Sequence, residues 1–193
     1  MSKLFVDEIV HQSSQGSGTI TLGASGEKIT TASGAKFSGI TGQNYPAFEA
    51  YLSADQTGLT DGADVKLQAD TEVFDTDSCY DNTTNYRFTP NVAGKYFVYS
   101  NIMARADSGN DTVWTNNQIF KNGSLYKVTR ARPSGGNNAN DIAIYVSAVI
   151  DMNGTTDYVE IYGNVNTASG GVWFFRDLLD AQSCYFGAYR IGA

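Results

Sequence analysis

Short apolar or alternating stretches, separated by turns rich in Asn, Asp and Gly, run from residue 45 to residue 193. The longest covers residues 96–104, Tyr-Phe-Val-Tyr-Ser-Asn-Ile-Met-Ala, in which successive side chains would point to opposite faces of a strand. No stretch of useful length has the periodicity of a helix. This pattern of at least eight strands predicts an all-β fold, a two-sheet antiparallel jelly-roll sandwich.

Two Asn-Gly pairs lie between such stretches, at residues 122–123 and 153–154. Asn-Gly readily adopts the positive φ angles of a type I′ turn, so each pair predicts a β-hairpin. Within residues 45–193, residues 172–179, Val-Trp-Phe-Phe-Arg-Asp-Leu-Leu, form the one stretch with a helix-like pattern, and it is short. We expect a loop that buries its aromatic side chains, with a neighbouring subunit as one candidate for the surface that covers them.

Two different segments precede the β-rich part, and we place the domain boundaries at residues 1–15, 16–44 and 45–193. The first segment holds a short apolar cluster whose spacing fits one face of a short helix, although a strand is also open. The cluster consists of Leu4, Phe5, Val6, Ile9 and Val10. Two interpretations remain: a terminus packed on its own domain, or an anchor that inserts into a partner protein.

The second segment, residues 16–44, is repetitive and low in complexity. Residues 24–30 and 32–38 share Ala, Ser, Gly and Lys at a spacing of eight, which places Ile29 and Phe37 at equivalent positions. One such unit cannot bury its own apolar residue, so repeats of this kind stack on one another or on copies from other chains. A β-repeat stalk of three wrapped chains and a flexible linker are the two interpretations.

Composition and charge exclude several classes of protein. Charged residues make up only 17% of the 193 residues, below the usual level of roughly 25%, so the surface must consist largely of Asn, Thr, Ser and Gly. A net charge of −7 argues against nucleic-acid binding. No apolar run approaches the roughly 20 residues of a membrane span. The amino terminus turns acidic within eight residues, unlike a signal peptide, so we expect no membrane insertion and no export.

Few residues are available for catalysis. The single histidine, His11, lies far from the β-rich part, and no Gly-x-Ser-x-Gly, phosphate-binding loop or His-Glu-x-x-His motif occurs. We therefore predict that the protein is not an enzyme, while glycosidase-like carboxylate pairs stay open. We expect Cys79 and Cys184 to be reduced, buried thiols, although a disulfide between neighbouring strands also stays open.

Two groups of polar residues are candidate binding sites. Asp75, Asp77 and Asp81 could hold Ca²⁺ through carboxylate oxygens, but the glycine and the closing glutamate of a calcium loop are missing, and turn formation is the alternative. Polar loops at residues 106–111 and 133–140 suit contact with a carbohydrate or a protein, and solvated loops without a ligand are the alternative. The candidate recognition residues are Asp107, Asn110, Asp111, Trp114, Asn137 and Asn138.

The β-rich part resembles the globular domain of the complement C1q and tumour-necrosis-factor family. The matching stretches, in order, are Pro-Ala-Phe-Glu-Ala at residues 46–50, Tyr-Asp at 80–81, Phe-Thr-Pro at 88–90, Gly-Lys-Tyr-Phe-Val at 94–98, Lys-Asn-Gly at 121–123 and Tyr-Phe-Gly at 185–187. The family's Gly-Asp after the penultimate hairpin is replaced by Gly-Thr-Thr-Asp at residues 154–157. The resemblance covers residues 45–192 and implies a jelly roll that assembles as a homotrimer.

The resemblance also implies a three-fold axis lined by aromatic and small apolar side chains. The candidates for this interface are Tyr51, Tyr96, Tyr99, Tyr145, Tyr162, Tyr185 and Tyr189, and an ordinary core position is the alternative for at least half of them. Alternation places Tyr96 and Val98 on one face of their strand and Phe97 and Tyr99 on the other. One set should therefore meet the second sheet, and the other should meet a neighbouring subunit.

Residues 20–29, Ile-Thr-Leu-Gly-Ala-Ser-Gly-Glu-Lys-Ile, resemble the short β-repeats at the start of fibre and appendage proteins of tailed bacteriophages. The two resemblances together imply a structural virion protein assembled in the host cytoplasm. It would be a homotrimeric fibre or spike that contacts other virion proteins through its amino-terminal segment, with a knob whose candidate ligand is a host-surface glycan or protein. The alternative is a head decoration protein that binds no receptor.

Overall fold

A computed structural model describes residues 45–106, 112–133, 139, 141–168, 171–174 and 182–192. The predicted anchor (residues 1–15) and stalk (residues 16–44) lie outside these ranges, so both stay predictions. The described part of the chain contains no helix long and apolar enough to cross a membrane.

Every element among the described residues is a β-strand. The strands are β1 (Ala47–Tyr51), β2 (Gln56–Leu59), β3 (Val65–Lys66), β4 (Thr71–Asp75), β5 (Tyr80–Asp81), β6 (Arg87–Phe88), β7 (Gly94–Ala106), β8 (Thr112–Lys121), β9 (Ser124–Ala131), β10 (Asp141–Met152), β11 (Val159–Thr167), β12 (Val172–Phe174) and β13 (Tyr185–Gly192).

The strands form two antiparallel sheets packed face to face. Sheet A has the order β2-β12-β7-β13-β1-β4, and β10 pairs with the other edge of β7. Sheet B has the order β5-β6-β11-β8-β9, with β3 also paired to β11. The prediction of an all-β, two-sheet jelly-roll sandwich is confirmed.

Alternation along β7 determines which side chains lie between the sheets. Tyr96, Val98 and Ile102 are buried, whereas Phe97 and Tyr99 point away from sheet B and keep part of their surface exposed. The predicted division of this strand into two faces is therefore confirmed, because a strand with one buried face must alternate.

A cluster of stacked aromatic rings forms the centre of the core. The Phe48 ring centroid lies 4.4 Å from that of Tyr80, 4.7 Å from that of Phe88 and 4.8 Å from that of Phe186. Tyr96 adds an edge contact to Phe88 at 5.6 Å. Such pairs add about 1 kcal/mol each beyond the burial of their area. Phe48 belongs to the stretch at residues 46–50 that resembles the C1q family, so this stretch supplies the middle of the core.

Residues 172–174 correct one expectation. They form β12 in sheet A, between β2 and β7, instead of a loop. Phe174 is fully buried within its own chain, with its ring above Gly163, where a Cβ atom would lie 2.3 Å from the ring. The reason is that β13 pairs with β7 only as far as Asn101, which leaves the end of β7 free to pair with a short apolar strand.

The two Asn-Gly pairs differ in outcome. Asn122 and Gly123 have φ angles of 51° and 76° between β8 and β9, as a hairpin turn of type I′ requires. The pair at residues 153–154 does not form a hairpin, because β10 belongs to sheet A and β11 to sheet B. The prediction was wrong there: Asn153 Oδ1 accepts hydrogen bonds from the N–H groups of Thr155, Thr156 and Asp157, which shapes a longer connection between the sheets.

Candidate functional site

The outward side of sheet A carries a set of aromatic side chains that we call the aromatic face. Strand register places its residues in three cross-strand rows over β1, β13, β7 and β10. The rows are Ala47–Tyr189–Phe97–Val149, Glu49–Gly187–Tyr99–Ser147 and Tyr51–Tyr185–Asn101–Tyr145. Because side chains in one row neighbour those in the next, the aromatic residues form one continuous surface.

Ring contacts connect the middle of this surface. The Phe97 ring centroid lies 5.5 Å from that of Tyr189 and 5.9 Å from that of Tyr99. Tyr99 in turn lies 6.2 Å from Tyr185 and 6.4 Å from Tyr189. These distances fall within the range of favourable aromatic pairs, so the four rings hold one another in place.

Tyr99 is fixed at both ends of its side chain. Its ring lies over Gly187, where an added Cβ atom would come within 2.4 Å of Tyr99 Cζ. Its hydroxyl donates a hydrogen bond of 2.6 Å to Glu49 Oε2. Burial, and then the hydrogen bond to the Glu49 carboxylate, raises the pKa of the Tyr99 phenol well above its usual value. The phenol therefore stays neutral and continues to donate.

The rim of the aromatic face is exposed. Tyr145, Val149 and Tyr189 keep between 37% and 49% of their surface accessible in the single chain. Contiguous apolar patches of this kind mark interaction surfaces, since isolated soluble domains seldom leave them uncovered.

Five of the seven candidate tyrosines lie on this face: Tyr51, Tyr99, Tyr145, Tyr185 and Tyr189. Tyr96 is a correction, because it is fully buried between the sheets and its hydroxyl donates to Val92 O at 2.7 Å. Tyr162 is a second correction: it lies in sheet B, with its ring centroid 4.4 Å from that of Phe120. Periodicity separates the two faces of a strand but does not say which face is inside.

Phe97, Glu49 and Val149 belong to the aromatic face but were not among the candidates. Phe97 shares its strand face with Tyr99, so the alternation of residues 96–104 was a sufficient signal for it. Glu49 and Val149 carry no such signal, because only the pairing of β1 with β13 and of β10 with β7 brings them there.

Two of the three candidate calcium ligands, Asp75 and Asp81, accept hydrogen bonds in turns, and the Asp77 N–H donates to Asp75 Oδ1. Asp75 Oδ2 accepts a hydrogen bond of 2.8 Å from the Tyr80 N–H. The Asp81 carboxylate accepts from the N–H groups of Thr83, Thr84 and Asn85, and these bonds, with Thr84 first, hold its pKa well below the usual value. Within the described ranges, no group of three or more His, Cys, Asp or Glu side chains is placed to hold a metal. Asp75 and Asp81 therefore act in turns, the alternative to a metal site.

Of the six candidate recognition residues, only Trp114 lies in the described ranges. Asp107, Asn110, Asp111, Asn137 and Asn138 lie outside the described residues. Trp114 lies in β8, and the guanidinium carbon of Arg130 is 4.6 Å from its ring centroid. Arg130 Nε also donates a hydrogen bond of 2.7 Å to Asn116 Oδ1. Trp114 therefore packs on a guanidinium group whose position this hydrogen bond fixes.

Both cysteines are buried thiols. Burial raises the pKa of the Cys79 thiol, and the Cys184 sulfur accepts a hydrogen bond of 3.2 Å from the Met103 N–H. The expected buried thiols are confirmed, and the two residues do not form a disulfide.

No protein-family model matches the chain, and no curated protein matches it. Among solved structures, murine APRIL at pH 8.0 is 10% identical with a TM-score of 0.51, and the similarity covers 75% of this chain and 98% of that one. The globular domain of zebrafish complement 1qA protein is 11% identical with a TM-score of 0.49, over 76% of this chain and 97% of that one. Eiger TNF from S. frugiperda is 9% identical with a TM-score of 0.47, over 78% and 94%. The described residues between 45 and 192 thus have the two-sheet jelly-roll fold seen in murine APRIL.

Proposed function

We propose that this chain is a non-enzymatic structural protein that assembles as a homotrimer, with the aromatic face buried between subunits. The observation that carries the proposal is the exposed rim of that face, at Tyr145, Val149 and Tyr189. Its composition suits a subunit contact, since interface cores are rich in aromatic residues and poor in charge. The three rows contain a single charged residue, Glu49. Its carboxylate accepts a hydrogen bond from the Tyr99 hydroxyl.

Three-fold closure is supported by the resemblance of the motif residues to the C1q and tumour-necrosis-factor family. Burial of the rim side chains would add to stability at about 25 cal/mol for each Å² of apolar surface removed from water. A fold of two sheets with one large outward aromatic surface therefore has a physical reason to associate.

The proposed setting is the particle of a tailed bacteriophage, where the trimer is a fibre or spike. The support is the resemblance of residues 20–29 to phage appendage repeats, together with the apolar cluster in residues 1–15 as a segment for contact with other virion proteins. Three copies of a knob would strengthen weak binding to a host surface through avidity.

The mass of the full chain in solution tests the assembly. Light scattering should give a mass near three times 20.8 kDa. Tyr189→Asp and Tyr145→Asp would place charges on the aromatic face, so we expect both variants to shift toward monomer. Val113→Asp, at an exposed apolar position outside the face, is the matched control and should stay trimeric. A monomeric wild-type protein would overturn the proposal.

Labelling of purified phage particles with antibodies against the full chain tests the setting. Label at the tail, with inhibition of phage adsorption by the purified protein, is the expected result. Label on the head without inhibition would identify a decoration protein instead. Particles without label would contradict both virion roles.

A further inference from the structure

Within the described ranges, three cations near one another in sequence have no carboxylate partner. Ion pairs join Lys66 and Arg87 to Glu160, Lys95 to Asp151, Arg105 to Asp141, and Lys121 to Asp157. Lys127, Arg130 and Arg132 make no ion pair in the described part of the chain, and they lie within six residues of one another. Residues 124–140 contain no Asp or Glu at all. A chain with a net charge of −7 therefore concentrates unpaired positive charge on and beside β9.

Strand β9 is also unusually exposed. Among the described strands it pairs only with β8, and its residues from Ser124 to Arg130 are exposed on both faces. Leu125, Tyr126 and Val128 keep between 43% and 52% of their surface accessible. Open edge strands that carry apolar side chains are sites for contact with another chain. We call β9 together with Arg132 the cationic edge.

Strand β4 has the same apolar exposure with the opposite charge. Of the strands that the structure describes, β1 alone pairs with it, and Val73 and Phe74 keep 48% and 44% of their surface accessible. Residues 67–86 contain five acidic residues and no Lys or Arg. Desolvation and the nearby Asp75 carboxylate raise the pKa of Glu72, so a cation brought close would be favourable there. We call β4 the acidic edge.

The two edges lie on opposite lateral sides of the sandwich. On one side, β9 ends sheet B next to β10 at the end of sheet A, and the Tyr126 hydroxyl donates to Val149 O at 3.2 Å. On the other side, β4 is the last strand of sheet A and β5 is the last strand of sheet B. Asp75 in β4 accepts a hydrogen bond from the N–H of Tyr80 in β5. The rows of the aromatic face run from β1, beside β4, to β10, beside β9, so the face is continuous with both edges.

We propose that the cationic edge of one copy docks against the acidic edge of the next copy, head to tail. The partner that docks against β9 is thus a second copy of this chain, and apolar contact and complementary charge favour this pairing. Contacts between two unlike surfaces of identical subunits close into a ring or continue as a filament. This inference rests on the proposed homotrimer and names the surface that each subunit offers its neighbour.

Charge reversal with rescue tests the docking in the full chain. Lys127→Glu combined with Arg132→Glu should weaken trimer formation at least tenfold, and Glu72→Lys should do the same, as measured by sedimentation at several protein concentrations. Arg130 stays unchanged because it packs on Trp114. The chain that combines all three substitutions should recover much of the affinity. Asp55→Lys, at an exposed carboxylate in the connection between β1 and β2, outside both edges and the aromatic face, is the control and should leave the affinity unchanged. Circular dichroism checks that each variant is folded.

The salt dependence of trimer affinity is a second test of the same contact. Trimer affinity of the wild-type protein should fall as the ionic strength rises from about 0.05 M to about 0.5 M, because salt screens exposed charges. A wild-type trimer whose affinity neither salt nor these substitutions change would overturn this inference and leave the homotrimer standing. Variants that weaken the trimer without rescue in the combined chain would overturn it as well. Retention of the wild-type trimer on immobilised heparin would show that the cationic edge is open to an external polyanion, against the docking proposed. A monomeric wild-type chain would instead remove the proposed function itself.

Discussion

Tyr99 on the aromatic face depends on contacts with two neighbouring strands. Its ring needs the missing side chain of Gly187, and its hydroxyl needs the Glu49 carboxylate. A larger residue at position 187 would push the ring away from both neighbours, since a Cβ atom there would be 2.5 Å from the hydroxyl oxygen.

Gly187→Ala should therefore destabilise the protein by about 2 kcal/mol, the usual cost of an overpacked site. Urea-induced unfolding measures the change. Gly192→Ala in the same strand is the matched control, because nothing lies within 4 Å of its added Cβ atom. Equal unfolding midpoints for the two variants would show that the Tyr99 ring moves aside without cost.

The Asp157 carboxylate makes a pH-dependent contribution to the stability of the fold. The Asn122 amide donates to its carboxylate at 2.8 Å, and Lys121 Nζ lies 2.9 Å from the other oxygen. These contacts, the Asn122 hydrogen bond first, lower the pKa of Asp157 relative to the unfolded chain. The carboxylate thus stabilises the fold above the unfolded-state pKa of about 3.9, and this stability is lost as the pH falls through the lower folded-state value.

We expect Asp157→Asn to be less stable than wild type by about 1 kcal/mol at neutral pH. The difference should shrink as the pH is lowered below about 4, where both proteins lack the charge. Thermal unfolding across this pH range checks the prediction. Asp151→Asn removes an exposed ion pair and should change stability little at any pH. A difference between Asp157→Asn and wild type that is constant with pH would contradict the assigned role of the charge.

At the scale of an element, the β8–β9 hairpin depends on two positive φ angles at Asn122 and Gly123. An alanine Cβ at Gly123 would meet only Tyr158 Oη at 3.5 Å, so its cost is conformational and not steric. Gly123→Ala should lower stability by about 1 kcal/mol, as left-handed backbone costs an L-residue. Ser124→Ala, next along the chain and exposed, should cost almost nothing when the same unfolding experiment is run. Equal losses in the two variants would mean that the turn tolerates a side chain.

Glu160 joins three strands of sheet B. It lies in β11, is almost fully buried, and its Oε1 is 2.7 Å from Lys66 Nζ in β3 and 2.6 Å from Arg87 Nη2 in β6. Glu160→Gln would leave both cations without a counter-charge in a half-buried place, at a cost of about 2 kcal/mol. Chemical denaturation should show this loss, whereas Asp141→Asn, which removes a more exposed pair with Arg105, should show much less. No loss on Glu160→Gln would mean that solvent already screens these cations.

At the scale of the whole molecule, features set by local sequence patterns were predictable, and features set by contacts between distant parts of the chain were not. The fold was predictable because residues 46–50 and 94–98 carry a strong local pattern whose members, Phe48 and Tyr96, turn out to be core. The connection between the two sheets at residues 153–154 was not predictable, since a turn signal does not say which sheet the next strand joins. Likewise, Tyr96 and Tyr99 have the same local pattern, and only the packing of sheet B on sheet A distinguishes the buried ring from the outward one.

The position of β13 has a consequence for the time course of folding. This strand follows all other described strands in chain order, yet it lies between β7 and β1 in the middle of sheet A. During synthesis, one edge of β1 can pair early with β4, but its other edge must wait for a partner more than a hundred residues later, since Ala47 pairs with Tyr189. Pairing at such separation slows folding. Tyr185 and Tyr189 arrive with the same strand, so the aromatic face is complete only once β13 has paired with β1 and β7.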